Sequence, residues 1–209
     1  KQFKLVNTKF ETLNNNYENM LKSNDKLHDL AGNLLIKTDY KPKQLSISAI
    51  SLLGNFRGDT NKTKNVKITA CDIDENALEY GNTFYSSKNI CYQTNNANQP
   101  TLKENSYNLA VSFETIEHLE NPQKFIEALY KSLKNNGKLL CSVPNEEQMP
   151  FDRTRHPFHF RHYYEKELVK VLSEAGFKKI QVFSQKNSGN CDILESGFGD
   201  FLILVALKI

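Results

Sequence analysis

From Gln44 onward, short apolar runs alternate with segments whose apolar residues recur at helical spacing. The runs Gln44 to Ile50, Val66 to Cys71, Asn89 to Gln93, Leu109 to Phe113 and Lys138 to Val143 are expected as strands. Two further runs, Lys179 to Ser184 and Asp200 to Lys208, have no helix pattern between them. Strands that alternate with helices imply a mainly parallel sheet covered on both faces. The last two runs should instead pair antiparallel, because a parallel pair needs a crossover.

The helix signals lie between these runs. Asp74 is positioned to cap a helix from Glu75 to about Tyr85. Asn121 and Pro122 open a helix whose apolar face is Phe125, Ile126, Leu129, Tyr130 and Leu133, with Asn136-Gly137 expected as its stop. Glu165 to Ala175 is a last helix, stopped by Gly176. Ser51 to Phe56 is a short helix or turn, and Arg57 to Asn65 a charged loop. Ahead of Lys41-Pro42-Lys43 the chain is polar and Asn-rich, with Leu13, Tyr17, Met20 and Leu21, then Leu27, Leu30, Leu34 and Leu35, at helical spacing. The expected organisation is a helical segment over 1–43 and an α/β domain over 44–209.

Composition narrows this little. The chain has 209 residues, 39% hydrophobic and 24% charged, which suits one soluble domain with a full core. A net charge of +3 makes no electrostatic case for nucleic acid. No apolar run is long enough to span a bilayer, and there is no secretory signal pattern. The four cysteines, Cys71, Cys91, Cys141 and Cys191, are widely spaced, and three sit in or beside strand patterns where Cys acts as a small hydrophobe. A reducing, cytoplasmic setting is the expectation.

The candidate chemistry is concentrated after the fourth strand. Glu114, Glu117 and His118 read E-x-x-E-H, and a helical turn would bring all three together. Downstream, HPFHFRHYY carries His156, His159 and His162 among Arg153, Arg155, Arg161 and the aromatics Phe158, Phe160, Tyr163 and Tyr164. Two carboxylates and two imidazoles make a sensible metal site. A single histidine could equally act as general base, because it titrates near neutrality. The arginines and aromatics suit a substrate-facing loop for phosphate, carboxylate or a stacked base, or else solvated charge over packed rings.

The stretch Tyr107 to Asn145, an apolar strand, the Glu-His cluster, a Pro-started helix, Asn-Gly and a strand ending Ser-Val-Pro-Asn, resembles the second half of class I S-adenosylmethionine-dependent methyltransferases. Within them it is similar to the group with a Glu-His pair after strand four. The resemblance implies a Rossmann-like α/β fold with an antiparallel C-terminal strand, S-adenosyl-L-methionine as cofactor, and methyl transfer to oxygen of a small-molecule, sugar or lipid acceptor. It places Asp72 on the ribose, Asn96 and Ala97 beside the adenine, and Ser46, Ser48, Ile73 and Phe113 also on the cofactor side. His118, with Glu117 and His159, would serve catalysis. Some small-RNA 2′-O-methyltransferases of this fold hold Mg²⁺ with such a cluster, which implies Glu114, Glu117, His118 and His159 as ligands. The chain departs from the family at its cofactor loop: Ser48, Ile50 and Leu52 stand at the glycine positions and Ser46 at the acidic one. Asn96 and Asn108 are further acid-to-amide changes. A catalytically inactive, methyltransferase-like scaffold is therefore the second expectation. A nicotinamide oxidoreductase lacks both its glycine fingerprint and the closing topology. The oligomeric state is left open.

Overall fold

The computed structural model describes residues 44–47, 67–186, 193–195 and 197–209. The expected helices over 1–43, the Ser48, Ile50 and Leu52 positions, and Cys191 lie outside the described residues. Eight strands form one sheet: β1 (Gln44–Ile47), β2 (Lys67–Asp72), β3 (Ile90–Thr94), β4 (Tyr107–Phe113), β5 (Leu133–Pro144), β6 (Lys178–Gln185), β7 (Ile193–Leu194) and β8 (Phe201–Leu207). Their order is β3-β2-β1-β4-β5-β8-β6-β7. The first five pair in parallel, and β8 runs antiparallel between β5 and β6. This is the Rossmann-like arrangement with an antiparallel closing strand that the sequence pattern predicts. The strand order reverses between β1 and β4, so the ligand crevice of such a sheet lies beyond their carboxyl ends.

Among the described residues three helices cover the sheet: α1 (Glu75–Phe84), α2 (Pro122–Ser132) and α3 (Glu165–Glu174). Asp74 caps α1, accepting from the Asn76 N–H at 2.9 Å. Pro122 occupies the first turn of α2, while Asn121 makes no side-chain cap bond. Phe125, Ile126 and Leu129 of α2 pack with Leu168 and Leu172 of α3 and with Leu139, Val143, Leu202 and Leu204 of the sheet. Leu109, Ala110 and Val111 of β4 are all buried, as a central strand covered on both faces requires.

Two element boundaries differ from the sequence pattern. Helix α2 ends at Ser132, before Asn136-Gly137, and β5 begins at Leu133. The cause is tertiary: Asn105 N–H donates to the Lys131 carbonyl and Ser106 N–H to that of Ser132, while Lys208 Nζ donates to Leu133 O at 2.7 Å. With its last carbonyls taken by outside donors, the helix gives way to strand. Asn136, at φ 63°, then supplies a left-handed turn inside the β5 segment. The second difference is β7, a two-residue strand on the outer edge of β6 that no apolar run announces. Of the cysteines, Cys71 and Cys141 are buried, with burial first pushing their thiols up to about 11 and about 12, whereas Cys91 is exposed. Among the described residues no helix is long and apolar enough to cross a membrane.

Candidate active site

A cleft of about 310 Å³ opens at the carboxyl ends of β2, β3 and β4. Asp72 and Ile73 enter it from β2, Asn96 and Ala97 from the turn after β3, and Glu114 and His118 from the turn after β4. Part of each sequence-predicted group thus lines one cavity: Glu114 and His118 of the polar cluster meet the cofactor side there, whereas Glu117, fully buried, and His159 do not line it. Asp72 Oδ1 accepts from the Asp74 N–H at 2.9 Å, which fixes the carboxylate at the strand end. Asn96 Oδ1 accepts from the Asn98 N–H at 2.9 Å, so this carbonyl already organises its own turn. Phe113 is buried at the end of β4 and does not line the cleft, and Ser46 is a backbone position in β1 opposite Thr69 and Ala110. Ser48 lies outside the described residues.

The Glu-His cluster converges through a strained turn rather than a helix. Glu114 takes φ 46°, a conformation that costs a non-glycine residue free energy and concentrates at functional sites. Strand β5 holds it there: Glu114 N–H donates to Ser142 O at 3.1 Å, and Ser142 Oγ donates to Glu114 Oε1 at 2.7 Å. A short 3₁₀ turn, Ile116–His118, follows, anchored by fully buried Ile116. It carries Glu117 inward. Glu117 is fully buried, and its carboxylate oxygens meet no N–H or hydroxyl donor among the described residues; its carboxyl neighbours that of Glu114, where a proton shared between the two would join them. His118 points the other way, toward solvent, with Nε2 at 3.8 Å from Glu117 Oε1.

The loop after β5 is closed at its base. Asn145 bridges to Tyr163, Glu146 N–H donates to Tyr163 O, and Asn145 Nδ2 donates to Gly197 O and Gly199 O at 2.8 Å each. Two bonds stitch the loop to the Glu-His turn: Phe160 N–H to Glu117 O at 2.8 Å, and His118 Nδ1 to Phe158 O at 3.0 Å. His159 is thereby brought against His118, with ring centroids 4.5 Å apart. Glu117, His118 and His159 each offer one ligand atom within 4.8 Å of the others. Glu114, bonded to Ser142, stands outside that group. His156 stacks on His159 at 5.2 Å, and His162 lies behind it, bonded to His159. Phe158 is 80% exposed, Phe160 and Tyr164 are also exposed, and Tyr163 is buried, so the loop divides its aromatics between surface and core. A broader hollow of about 550 Å³ on the loop's other flank, against α3, contains none of Asp72, Glu114 or His118.

Burial opposes charge on Glu114, Glu117 and His159. Glu114 is partly open to the cleft, yet the protein packed around its carboxyl pushes it up to about 7, against the lowering bond from Ser142. Burial, and then the neighbouring Glu114, push Glu117 well above the usual carboxylate range. Burial and the adjacent His118, His162 and His156 bring His159 down to about 4. Two carboxyls that resist ionisation beside an imidazole, His159, that resists protonation suit either proton transfer or a cation that reverses the local preference. Glu117, His118 and His159 fit a divalent metal: two imidazole nitrogens and a buried carboxyl that no N–H or hydroxyl donor of the described residues reaches form a donor set for it. The cleft also fits a nucleoside carrying vicinal hydroxyls, with an acidic strand end on one wall. The sequence pointed to His159 by its place ahead of the last helix. It did not single out Ser142 or Asn145, whose roles depend on partners distant in the chain.

Comparison with known proteins places these features in a family. A family model described as a methyltransferase domain matches residues 50–182. A probable S-adenosylmethionine-dependent methyltransferase of Mycobacterium tuberculosis is 32% identical over 113 residues, covering 53% of this chain and 40% of that protein. A counterpart in Mycolicibacterium smegmatis is 28% identical, covering 54% and 44%. The chain thus spans less than half the length of the curated relatives it matches. An S-adenosylmethionine-dependent methyltransferase of Thermotoga maritima superposes with a TM-score of 0.70 at 19% identity, covering 96% of this chain and 98% of that one. The N-methyltransferase NodS of Bradyrhizobium japonicum, solved with S-adenosyl-L-homocysteine, superposes with a TM-score of 0.65 at 15% identity, covering 88% and 86%. The matched domain, the strand order and the antiparallel closing strand agree, and the chain belongs to the class I S-adenosylmethionine-dependent methyltransferase family.

Proposed function

We propose that this chain transfers a methyl group from S-adenosylmethionine to a hydroxyl of a small-molecule, sugar or lipid acceptor. The observation that carries this reading is the single cleft uniting Asp72, Asn96 and Ala97 with Glu114 and His118. When bound, S-adenosylmethionine supplies an already activated methyl on a sulfonium, so the protein's work is alignment and proton management. Asp72 would accept bonds from the ribose hydroxyls, and Ala97 and the Asn96 turn would flank the adenine. His118 has Nδ1 committed to Phe158 O, which leaves Nε2 with a lone pair. That nitrogen takes the acceptor's hydroxyl proton as the oxygen attacks. Exposed Phe158 and the adjacent Arg155 and Arg161 would meet the acceptor.

A second reading has its own observation: the buried Glu117 carboxyl, reached by no N–H or hydroxyl donor among the described residues, within reach of His118 and His159. In it, these three residues hold a divalent ion that binds the acceptor hydroxyls, as in metal-assisted methylation of an RNA 2′-hydroxyl, and His118 is a ligand instead of a base. Calorimetry decides between them and the scaffold alternative. S-adenosylhomocysteine should bind the purified protein with or without chelator. Manganese ion should bind only under the second reading, and Glu117→Gln should abolish that binding. An absence of any S-adenosylhomocysteine binding at millimolar concentration would favour the scaffold.

A further inference from the structure

His162 is the most buried of the loop's histidines, and both its ring nitrogens are engaged. Its Nδ1 lies 2.6 Å from Met149 O. A carbonyl only accepts, so Nδ1 carries the proton. In the neutral ring Nε2 is then an acceptor, and it lies 2.9 Å from His159 Nδ1. His159 must therefore donate from Nδ1, and its Nε2 is left unprotonated. Each link follows from the one before, and the chain begins at a backbone carbonyl that cannot change its role. Met149 is itself fixed, because its N–H donates to Asn145 O at 2.7 Å, and Asn145 is buried at the end of β5.

We propose that His162 is a positioning residue: through this bonded pair of imidazoles it holds the His159 proton on Nδ1 and leaves Nε2 with its lone pair, within the group that His159 forms with Glu117 and His118. His118 is set the same way by Phe158 O, so both histidines of the group offer Nε2 as acceptor or ligand and neither offers it as a donor. A ring nitrogen whose role is fixed by a bond at the other nitrogen is the usual means of orienting imidazoles at metal and proton-transfer sites. The proposal rests on the reading of Glu117, His118 and His159 as the reacting group. It excludes His159 as a proton donor to substrate and gives the His-x-x-His spacing of His159 and His162 a function.

The test is a long-range ¹H–¹⁵N correlation spectrum of the imidazoles in ¹⁵N-labelled, metal-free protein at neutral pH. His159 and His162 should both show a protonated Nδ1 and a bare Nε2. In His162→Phe, which keeps an aromatic ring without nitrogens, His159 should revert to the Nε2–H form that free histidine side chains favour. In His162→Gln the side-chain carbonyl can accept from His159 and the amide can donate to Met149 O, so the Nδ1–H form should be restored. A loss of packing alone would not be rescued in this pattern. An Nε2–H His159 in the unaltered protein, or an unchanged His159 in the Phe variant, overturns the proposal. Should the Phe variant fail to fold, the unaltered protein and the Gln variant still decide, since Nε2–H in either is fatal. No methyl donor is used, so failed cofactor binding would sink the proposed function and leave this result standing.

Discussion

Glu114 combines two costs at one residue of the site, a left-handed backbone ending a buried strand and a carboxyl raised to about 7. Its pH linkage has a definite sign. Between the ordinary value of 4.5 and about 7 the folded protein holds a proton that the unfolded chain has released. The corresponding stability is fully present below the lower value and lost as pH rises through the upper one. Glu117, also raised, acts in the same direction. His159 acts in the opposite one: lowered from 6.5 to about 4, it contributes stability above 6.5 that is lost as pH falls. Glu114→Gln removes one falling contribution and leaves the histidine's rising one. With chelator present, urea unfolding of this variant should therefore show stability that climbs more steeply, or falls less, than the unaltered protein between roughly pH 5 and 7. Parallel curves would show that Glu114 does not titrate in that window. The spacing E-x-x-E-H made these residues visible in the sequence, but not the turn that joins them. Ser142 makes that turn, and it sits on a different strand.

At the level of elements, Gly176 shows where sequence punctuation and packing agree. It ends α3 at φ 109°, a conformation L-residues rarely adopt, and a Cβ there would sit 2.9 Å from the Tyr130 ring. Tyr130 cannot move aside easily, since Phe177 packs edge-on at 5.1 Å and Lys208 Nζ lies 4.9 Å over the ring. Gly176→Ala should cost about 1–3 kcal/mol of stability, read as a lowered midpoint in thermal or urea unfolding. A loss within a few tenths would mean that the turn relaxes freely. Asn136-Gly137 had the same appearance in the sequence yet does not stop its helix. The difference is physical. Gly176 acts through its own backbone, which a local pattern records, whereas α2 is ended by donors from Asn105, Ser106 and Lys208, which no local pattern records. Strand β7 was illegible for the same reason, since only two residues pair with β6. The β6–β8 pairing was legible, because the missing helix between two apolar runs left a single way to connect them.

The whole molecule brings two banks of residues to the carboxyl end of the sheet from its opposite halves, and His118 of the second lines the cleft of the first. Asp72 and Asn96 come from β2 and β3 on one side of the strand-order reversal; Glu117, His118 and His159 come from the turn after β4 and the loop after β5 on the other. The first bank is held by local bonds, Asp72 to the Asp74 N–H and Asn96 to the Asn98 N–H. The second is held by bonds between distant segments, Phe160 to Glu117 and His118 to Phe158. Because each bank is held by its own set of bonds, their substitutions should separate cleanly. Asp72→Ala should weaken S-adenosylhomocysteine binding by ~1.5–3 kcal/mol, the value of a charge-assisted hydrogen bond, which is roughly tenfold to a hundredfold in affinity. His159→Ala should leave that affinity within about twofold, since sites without shared partners act independently. His118→Ala, whose residue touches both the cleft and the second bank, should abolish methyl transfer while changing cofactor affinity little. Calorimetry on the three variants reads the first two outcomes, and a labelled-methyl assay against any acceptor that turns over reads the third. If His159→Ala weakened S-adenosylhomocysteine binding as much as Asp72→Ala does, the two banks would not be separate, and the cofactor would lie across the histidines instead of beside β2.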